Sequence, residues 1–123
     1  MKNTAITVYG IRNCDTVKKA RQWLDDHGRP YLFHDFKTAG VPPNLLDHWI
    51  ALVGWETLLN RKGNTWRGLD EDTRAGAVDA AGARAVMLAH PSVIKRPVVA
   101  WAGPQAGDVS VGFKAELWAS RLI

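Results

Sequence analysis

A strand, a helix and a second strand follow one another within the first 36 residues of this 123-residue chain. Ile6–Tyr9 is a short β-rich run, and a helical pattern begins at Asp15. The apolar side of that helix is formed by residues at helical spacing, Val17, Ala20, Trp23 and Leu24. Pro30 forbids continuation of the helix, and residues 31–36 form the second strand. A helix that connects two strands in this way is typical of a parallel βαβ unit.

The middle of the chain is predicted to be helical. A helix opens at Pro43 and ends at Gly54, because apolar residues between them recur at helical spacing. A further helical turn covers residues 55–59. The polar residues 60–67 that follow are interpreted as a loop.

The C-terminal half is predicted to continue with helices and then to return to strands. Asp72-Thr73 is the candidate cap of another helix, and the alanine-rich stretch at 74–88 fits one or two more. Residues 98–101 and 109–112 form two strands around a glycine-rich turn, which predicts a hairpin. Residues 113–122 form a final helix. The order is β-α-β, then helices, then β-β-α, which places the chain in the α/β class.

Composition limits the class of protein. Apolar residue types make up 46% of the chain, which argues against disorder, and no apolar run approaches the ~18 residues of a membrane-spanning helix. The N-terminus lacks a signal-peptide pattern, so we expect a cytoplasmic protein without membrane contact. The net charge of +4 is not concentrated in one basic block, which argues against nucleic-acid binding. The single cysteine excludes an internal disulfide and a zinc site built on several thiolates.

That cysteine, Cys14, lies where the loop after the first strand meets the first turn of the predicted helix. Free N–H groups and the helix dipole favour a thiolate there and lower the pKa of a cysteine. Lys18 lies one turn later and adds a cation, and Asn13 is the candidate N-cap. Both are also candidate substrate- or anion-binding residues. The alternative is a cysteine buried as a small apolar side chain. Polar neighbours and a position off the apolar face favour the thiolate.

Two further groups of residues are candidates for binding an anion. Arg96 and Pro97 immediately precede the third strand, and they lie near Cys14 if that strand pairs with the first. On spacing alone, a solvated arginine and an ordinary strand-edge proline are the simpler interpretation. The loop at 60–67 carries Arg61, Lys62 and Arg67 without an anion and could clamp an oxyanion. A flexible surface loop is the alternative.

Residues 8–20, with the sequence VYGIRNCDTVKKA, resemble the opening motif of the arsenate reductase/Spx family, most closely its YffB-type branch. The stretches 58–60, 65–67 and 94–97 are similar too, and they occur in the same order. The resemblance covers nearly the whole chain. It implies a thioredoxin-like (glutaredoxin-like) fold, with a mixed sheet and an inserted helical subdomain at about 41–91, in a single domain of residues 1–123.

The resemblance also implies roles for individual residues. Cys14 is the nucleophile and Pro97 is the cis-proline beside it. In arsenate reductases of this type, arginines bind the oxyanion, and glutathione with glutaredoxin completes the reduction. Arg96 corresponds to the arginine before the proline. Asn60 follows the two leucines directly, so the family's loop arginine matches no single position here.

One departure from the family limits the mechanism. Val17 stands where the Cys-x-x-Cys regulators have their second cysteine, which excludes an internal disulfide switch. The leading hypothesis is therefore an enzyme, a monomeric glutathione-dependent reductase acting on a mixed disulfide or a bound oxyanion. Glutathione is the co-substrate, and neither a metal nor a bound organic cofactor is needed. The alternative is a non-enzymatic, Spx-like regulator that binds a large partner such as RNA polymerase.

Overall fold

A computed structural model describes residues 6–104 and 106–122 of the chain. The chain divides into two compact units. The first, here called the sheet unit, contains the described residues up to Asp35 and from Arg96 onward. The second, here called the helical unit, is Phe36–Lys95 and contains the insertion predicted at about 41–91. That the two units make one domain stays a prediction.

The secondary-structure elements alternate as the sequence predicted, with the helices concentrated in the middle. In chain order they are β1 (Ile6–Gly10), α1 (Asp15–Asp26), β2 (Tyr31–Asp35), α2 (Phe36–Ala39), α3 (Pro43–Val53), α4 (Trp55–Leu58), α5 (Asn64–Gly68), α6 (Glu71–Gly76), α7 (Ala80–Ala89), a 3-10 turn (Pro91–Val93), β3 (Val98–Ala100), β4 (Val109–Val111), α8 (Ala115–Ala119) and a second 3-10 turn (Ser120–Leu122). None of the described helices is both long and apolar enough to cross a bilayer.

The sheet unit is built on four strands in the order β2-β1-β3-β4. Strands β1 and β2 are parallel, with Ile6 opposite Tyr31. Strands β1 and β3 are antiparallel, with Tyr9 opposite Val98, and β4 pairs antiparallel with β3. The predicted βαβ unit and the predicted hairpin are therefore confirmed, and β1 and β3 are the central strands.

Helix α1 packs on this sheet with the face that the sequence predicted. Val17, Ala20 and Leu24 are buried, whereas Trp23 is only partly buried at the edge of the core. Gly10 at the end of β1 lets the helix come close, because a Cβ there would lie 2.8 Å from Cγ2 of Val17. The N-terminus of α1 is therefore fixed against the last residue of β1.

Trp118 attaches the C-terminal segment to the same core. Its ring meets three aromatic rings edge-on, with centroid distances of 4.8 Å to Trp101, 4.7 Å to Phe113 and 5.5 Å to Trp23. The predicted final helix at 113–122 is shorter in the structure. Only Ala115–Ala119 is α-helical, because the chain tightens into a 3-10 turn after it.

The helical unit begins with the helix that the sequence predicted. Helix α3 starts at Pro43 and Gly54 is its C-cap, while Leu46 and Trp49 on its inner face are fully buried. The second predicted strand ends one residue early, because Phe36 begins α2. The loop predicted at 60–67 is partly helical, since α5 starts at Asn64.

The predicted cap before the alanine-rich stretch was wrong. Asp70, not Asp72, caps α6, because its carboxylate accepts a hydrogen bond from the Thr73 N–H at 2.9 Å. Asp79 then caps α7 by accepting the Gly82 N–H at 2.8 Å, which divides the stretch into two helices. The first turn of α7 also needs a glycine at position 82. A Cβ there would collide with the carbonyl oxygen of Gly76 at the end of α6.

Candidate active site

A tight turn carries the chain from β1 into α1 and places Cys14 at the helix N-cap. The Cys14 N–H donates to the carbonyl of Ile11 at 3.2 Å, and the carbonyl of Cys14 accepts the N–H of Lys18 at 2.9 Å. Cys14 itself has extended backbone angles, and the first helical residue is Asp15. Cys14 is only partly buried.

Asn13 does not have the role that the sequence predicted. Cys14 occupies the N-cap position, and Asn13 lies at the exposed corner of the preceding turn. The physical reason is the Cys14–Ile11 hydrogen bond, which closes the turn one residue later than an asparagine cap would require. The cysteine side chain therefore stands where a serine or asparagine cap would normally stand.

Opposing influences act on the ionisation of Cys14. Partial burial raises the pKa of the thiol, but the Val17 N–H, the Arg96 guanidinium and the Thr16 N–H outweigh burial, and the net effect is a lowered pKa. The thiol closes no cap hydrogen bond of its own. The two helix N–H groups instead favour the charged sulfur, which fits the N-cap position. Lys18, which the sequence suggested for this effect, is not among these groups.

Pairing of β3 beside β1 brings Arg96 and Pro97 to the cysteine. Tyr9 pairs with Val98, so the residues just before β3 lie beside the residues just after β1. The Arg96 side chain donates a hydrogen bond to the sulfur of Cys14. Pro97 is buried, the Arg96–Pro97 peptide bond is cis, and the Pro97 carbonyl accepts the N–H of Gly112 at 2.8 Å.

The remaining predicted cations, Arg61, Lys62 and Arg67, belong to the helical unit. Two of them are engaged within their own segment. Arg67 donates from Nη2 to the Lys62 carbonyl at 2.6 Å, and the Cζ of Arg61 lies 5.6 Å from the centre of the Trp55 ring. Asn60 closes the turn by accepting the Lys62 N–H at 3.1 Å. The structure thus gives Arg67 a part in shaping its own loop.

Lys18 lies in a different environment from the one predicted. It lines a shallow groove between α1 and β2 together with Arg12, Arg21 and Tyr31. Sequence reasoning assigned neither Arg12 nor Arg21 to a site. The signal in the sequence was the pair of cations Lys18 and Arg21 on α1, together with Tyr31 and Phe33 at alternate positions of β2. These residues can be related to one another only once the packing of α1 beside β2 is known.

The arrangement in the sheet unit can perform thiol chemistry. It combines a partly exposed cysteine, two helix N–H groups that favour its thiolate, and an arginine that donates a hydrogen bond to its sulfur. An arginine in that position suits a carboxylate or an oxyanion next to the reacting sulfur.

Comparison with known proteins finds one matching family and several similar solved structures. The model of the ArsC family matches residues 9–120. The solved structure of a protein named YFFB (PA3664) is 47% identical, with a TM-score of 0.87, and the match covers 97% of this chain and 100% of that one. The solution structure of an arsenate reductase (ArsC) related protein from Brucella melitensis is 48% identical, with a TM-score of 0.74, and the match covers 99% and 98% of the two chains.

A more distant relative is a regulator. The global transcriptional regulator Spx of Streptococcus pneumoniae strain R6 is 21% identical over 113 residues, which is 90% of this chain and 80% of that protein. The similarity to the solved structures shows that the fold is thioredoxin-like, as the resemblance implied.

Proposed function

Because the chain belongs to the ArsC family, we propose that it is a glutathione-dependent reductase that uses Cys14 as its single nucleophile. The observation that supports this most strongly is the hydrogen bond from Arg96 to a sulfur that also faces the N–H groups of Val17 and Thr16. A cysteine held in this way is ionised at lower pH than a free thiol and attacks sulfur accordingly.

The proposed reaction has two exchanges. The Cys14 thiolate attacks the glutathione sulfur of a mixed disulfide, a new Cys14–glutathione disulfide forms, and the other thiolate leaves and takes up a proton. A second glutathione thiolate then attacks that disulfide, which releases glutathione disulfide and regenerates the Cys14 thiolate. The second thiol must come from outside, because the chain has one cysteine. Glutaredoxin is an alternative donor for this second step.

Within the sheet unit, Arg96 has two roles in this proposal. It stabilises the thiolate before attack, and it binds a carboxylate of glutathione or the oxygens of an anionic substrate. That a second cation comes from Arg61, Lys62 or Arg67 stays a prediction. No bound cofactor or metal is required, and we expect the protein to work as a monomer in the cytoplasm, where glutathione keeps thiols reduced.

Intact mass measurement tests the proposal directly. After incubation with glutathione disulfide, the wild type should gain about 305 Da, one glutathione, and the Cys14→Ser variant should gain none. Turnover of a glutathionylated peptide and of arsenate, with glutathione as donor, then identifies the substrate, and the same variant should lose at least about a hundredfold in turnover.

The rival function is an Spx-like regulator, which the distant similarity to Spx supports. That function predicts no adduct on Cys14. It also predicts identical behaviour of the wild type and Cys14→Ser in every redox assay, and that outcome would contradict the enzyme.

A further inference from the structure

The groove that contains Lys18 runs along α1 beside the edge strand β2. It is shallow, with a volume of about 350 Å³, and its lining residues are Arg12, Lys18, Arg21, Gln22, Asp25 and Tyr31. A second depression shares Arg21, Asp25 and Tyr31 with it and continues to Phe33. The two together form one continuous surface, called here the α1–β2 groove.

Arg21 lines both depressions and is positioned by two aromatic rings and a hydrogen bond. Its Cζ lies 4.1 Å from the centre of the Phe33 ring and 5.7 Å from that of Tyr31, and its Nε donates to the Tyr31 hydroxyl at 3.0 Å. The Arg12 guanidinium lies 6.0 Å from the same Phe33 ring. An arginine fork that is already oriented loses less entropy when it binds a carboxylate.

The charges in the groove do not balance. Arg12, Lys18 and Arg21 face one carboxylate, that of Asp25. None of the three cations forms an ion pair with any residue in the described part of the chain, whereas Arg84 and Arg121 are each paired with an aspartate. The groove is therefore complementary to an anion.

Two of the lining residues of the groove, Arg12 and Lys18, lie close to the candidate nucleophile along the chain. Arg12 lies in the turn that ends at Cys14, and Lys18 is one helical turn beyond Cys14. With a rise of about 1.5 Å per residue, Lys18 and Arg21 lie roughly 6 and 10 Å along the helix from Cys14. Two to three residues of an extended peptide span about that length.

We propose that the α1–β2 groove binds an acidic side chain carried two or three residues away from the disulfide-bonded cysteine of a peptide segment. This inference rests on the proposed function and names its substrate class, which is glutathionylated proteins whose cysteine lies in an acidic, extended segment. Cys14 attacks the glutathione sulfur, the peptide thiolate leaves, and the acidic side chain orients the peptide in the groove.

Paired peptide substrates test the proposal. Two glutathionylated peptides differ only by Glu or Gln three residues from the cysteine, with the residue placed on either side in separate pairs. In at least one of the two pairs, the wild type should turn over the Glu peptide with a kcat/KM about fivefold higher than that of its Gln partner. This Glu-to-Gln ratio of kcat/KM should fall towards one at high salt. A ratio of one at low salt would overturn the proposal.

Variants of α1 distinguish binding of the acidic side chain in the groove from a nonspecific effect of positive charge. Lys18→Gln and Arg21→Gln should each reduce the Glu-to-Gln ratio of kcat/KM to about two or less. The ratio for Arg21→Lys should lie between these values and that of the wild type, because lysine keeps the charge but lacks the planar guanidinium. Lys19→Gln removes the same charge from an exposed position of α1 that does not line the groove, and it should keep the wild-type ratio. An equal loss in Lys19→Gln would overturn the proposal.

A binding assay does not depend on the chemistry. A fluorescent peptide with Glu in the same position and Ser in place of the cysteine should bind Cys14→Ser about fivefold more tightly than Cys14→Ser with Arg21→Gln. Because this binding assay needs no thiol chemistry, it still tests the groove if no glutathione adduct forms on Cys14. Failure of the proposed function can therefore be distinguished from failure of the groove proposal. Displacement of the peptide by free glutathione, or by single-stranded DNA of equal charge at equal concentration, would assign the groove to another ligand and overturn the proposal.

Discussion

The groups around the sulfur of Cys14 set the pKa of its thiol. Burial opposes the thiolate, while two backbone N–H groups and one guanidinium favour it, and the pKa of Cys14 is lowered as a result. The two N–H groups belong to the backbone, so every substitution except one to proline keeps them. Arg96 is the contribution that a side-chain change can test.

The variant Arg96→Gln is expected to raise the pKa of Cys14. At pH 7 its reaction with iodoacetamide should be about three- to tenfold slower than that of the wild type, because the smaller thiolate fraction is only partly offset by the stronger nucleophile. The rate measured against pH should have its midpoint at higher pH. Lys19→Gln is the control and should keep the wild-type profile. An unchanged profile in Arg96→Gln would mean that the helix N–H groups alone set the pKa.

Among the elements, the contact between β1 and α1 positions the sulfur. Gly10 ends β1 and Val17 lies in the first turn of α1, fully buried against it. The turn between them is short and closed by the hydrogen bond from Cys14 to Ile11. Any change that separates the strand from the helix therefore also moves the cysteine.

Gly10→Ala should destabilise the fold. The added Cβ would lie 2.8 Å from Cγ2 of Val17, a branched side chain that is fully buried, so we expect the free energy of unfolding to fall by about 1–3 kcal/mol. Urea unfolding followed by circular dichroism measures this loss. In Gly68→Ala the added Cβ meets no atom within 4 Å, and the change should stay within about 0.5 kcal/mol. Equal stability of Gly10→Ala and wild type would disprove the close approach.

For the whole molecule, ionisation of Cys14 is linked to folding. The thiol has a lower pKa in the folded chain than in the unfolded chain, so it contributes stability that is complete above the unfolded pKa of about 8.5. That contribution is lost as the pH falls through the folded pKa. Stability at alkaline pH therefore depends on the cysteine more than stability at acid pH does.

The free energy of unfolding of the wild type minus that of Cys14→Ser should accordingly increase from pH 5.5 to pH 9. Denaturant unfolding of both proteins at each pH measures it, and all other titrating groups cancel in the difference. Arg96→Gln should reduce the increase, since it removes one cause of the lowered pKa. A difference that is constant or falls with pH would contradict the lowered pKa.

Prediction from the sequence succeeded where the deciding residues are close in the chain. The apolar face of α1, the helix from Pro43, and the position of Cys14 at a helix start all depend on residues a few positions apart. The same kind of reasoning failed for Asn13 and Asp72, because several polar residues compete for one cap and a single backbone hydrogen bond decides between them.

The sequence by itself determined that this chain has a strand, a helix beginning beside its one cysteine, a helical middle and a final hairpin. These features follow from local periodicity, capping and turn residues. Only the tertiary structure decided that Arg96 bonds to Cys14 and that Arg21 stacks on Phe33. The reason is that strand order and register are set by pairing and burial between segments that are distant in the chain. These interactions cannot be evaluated from any short segment alone.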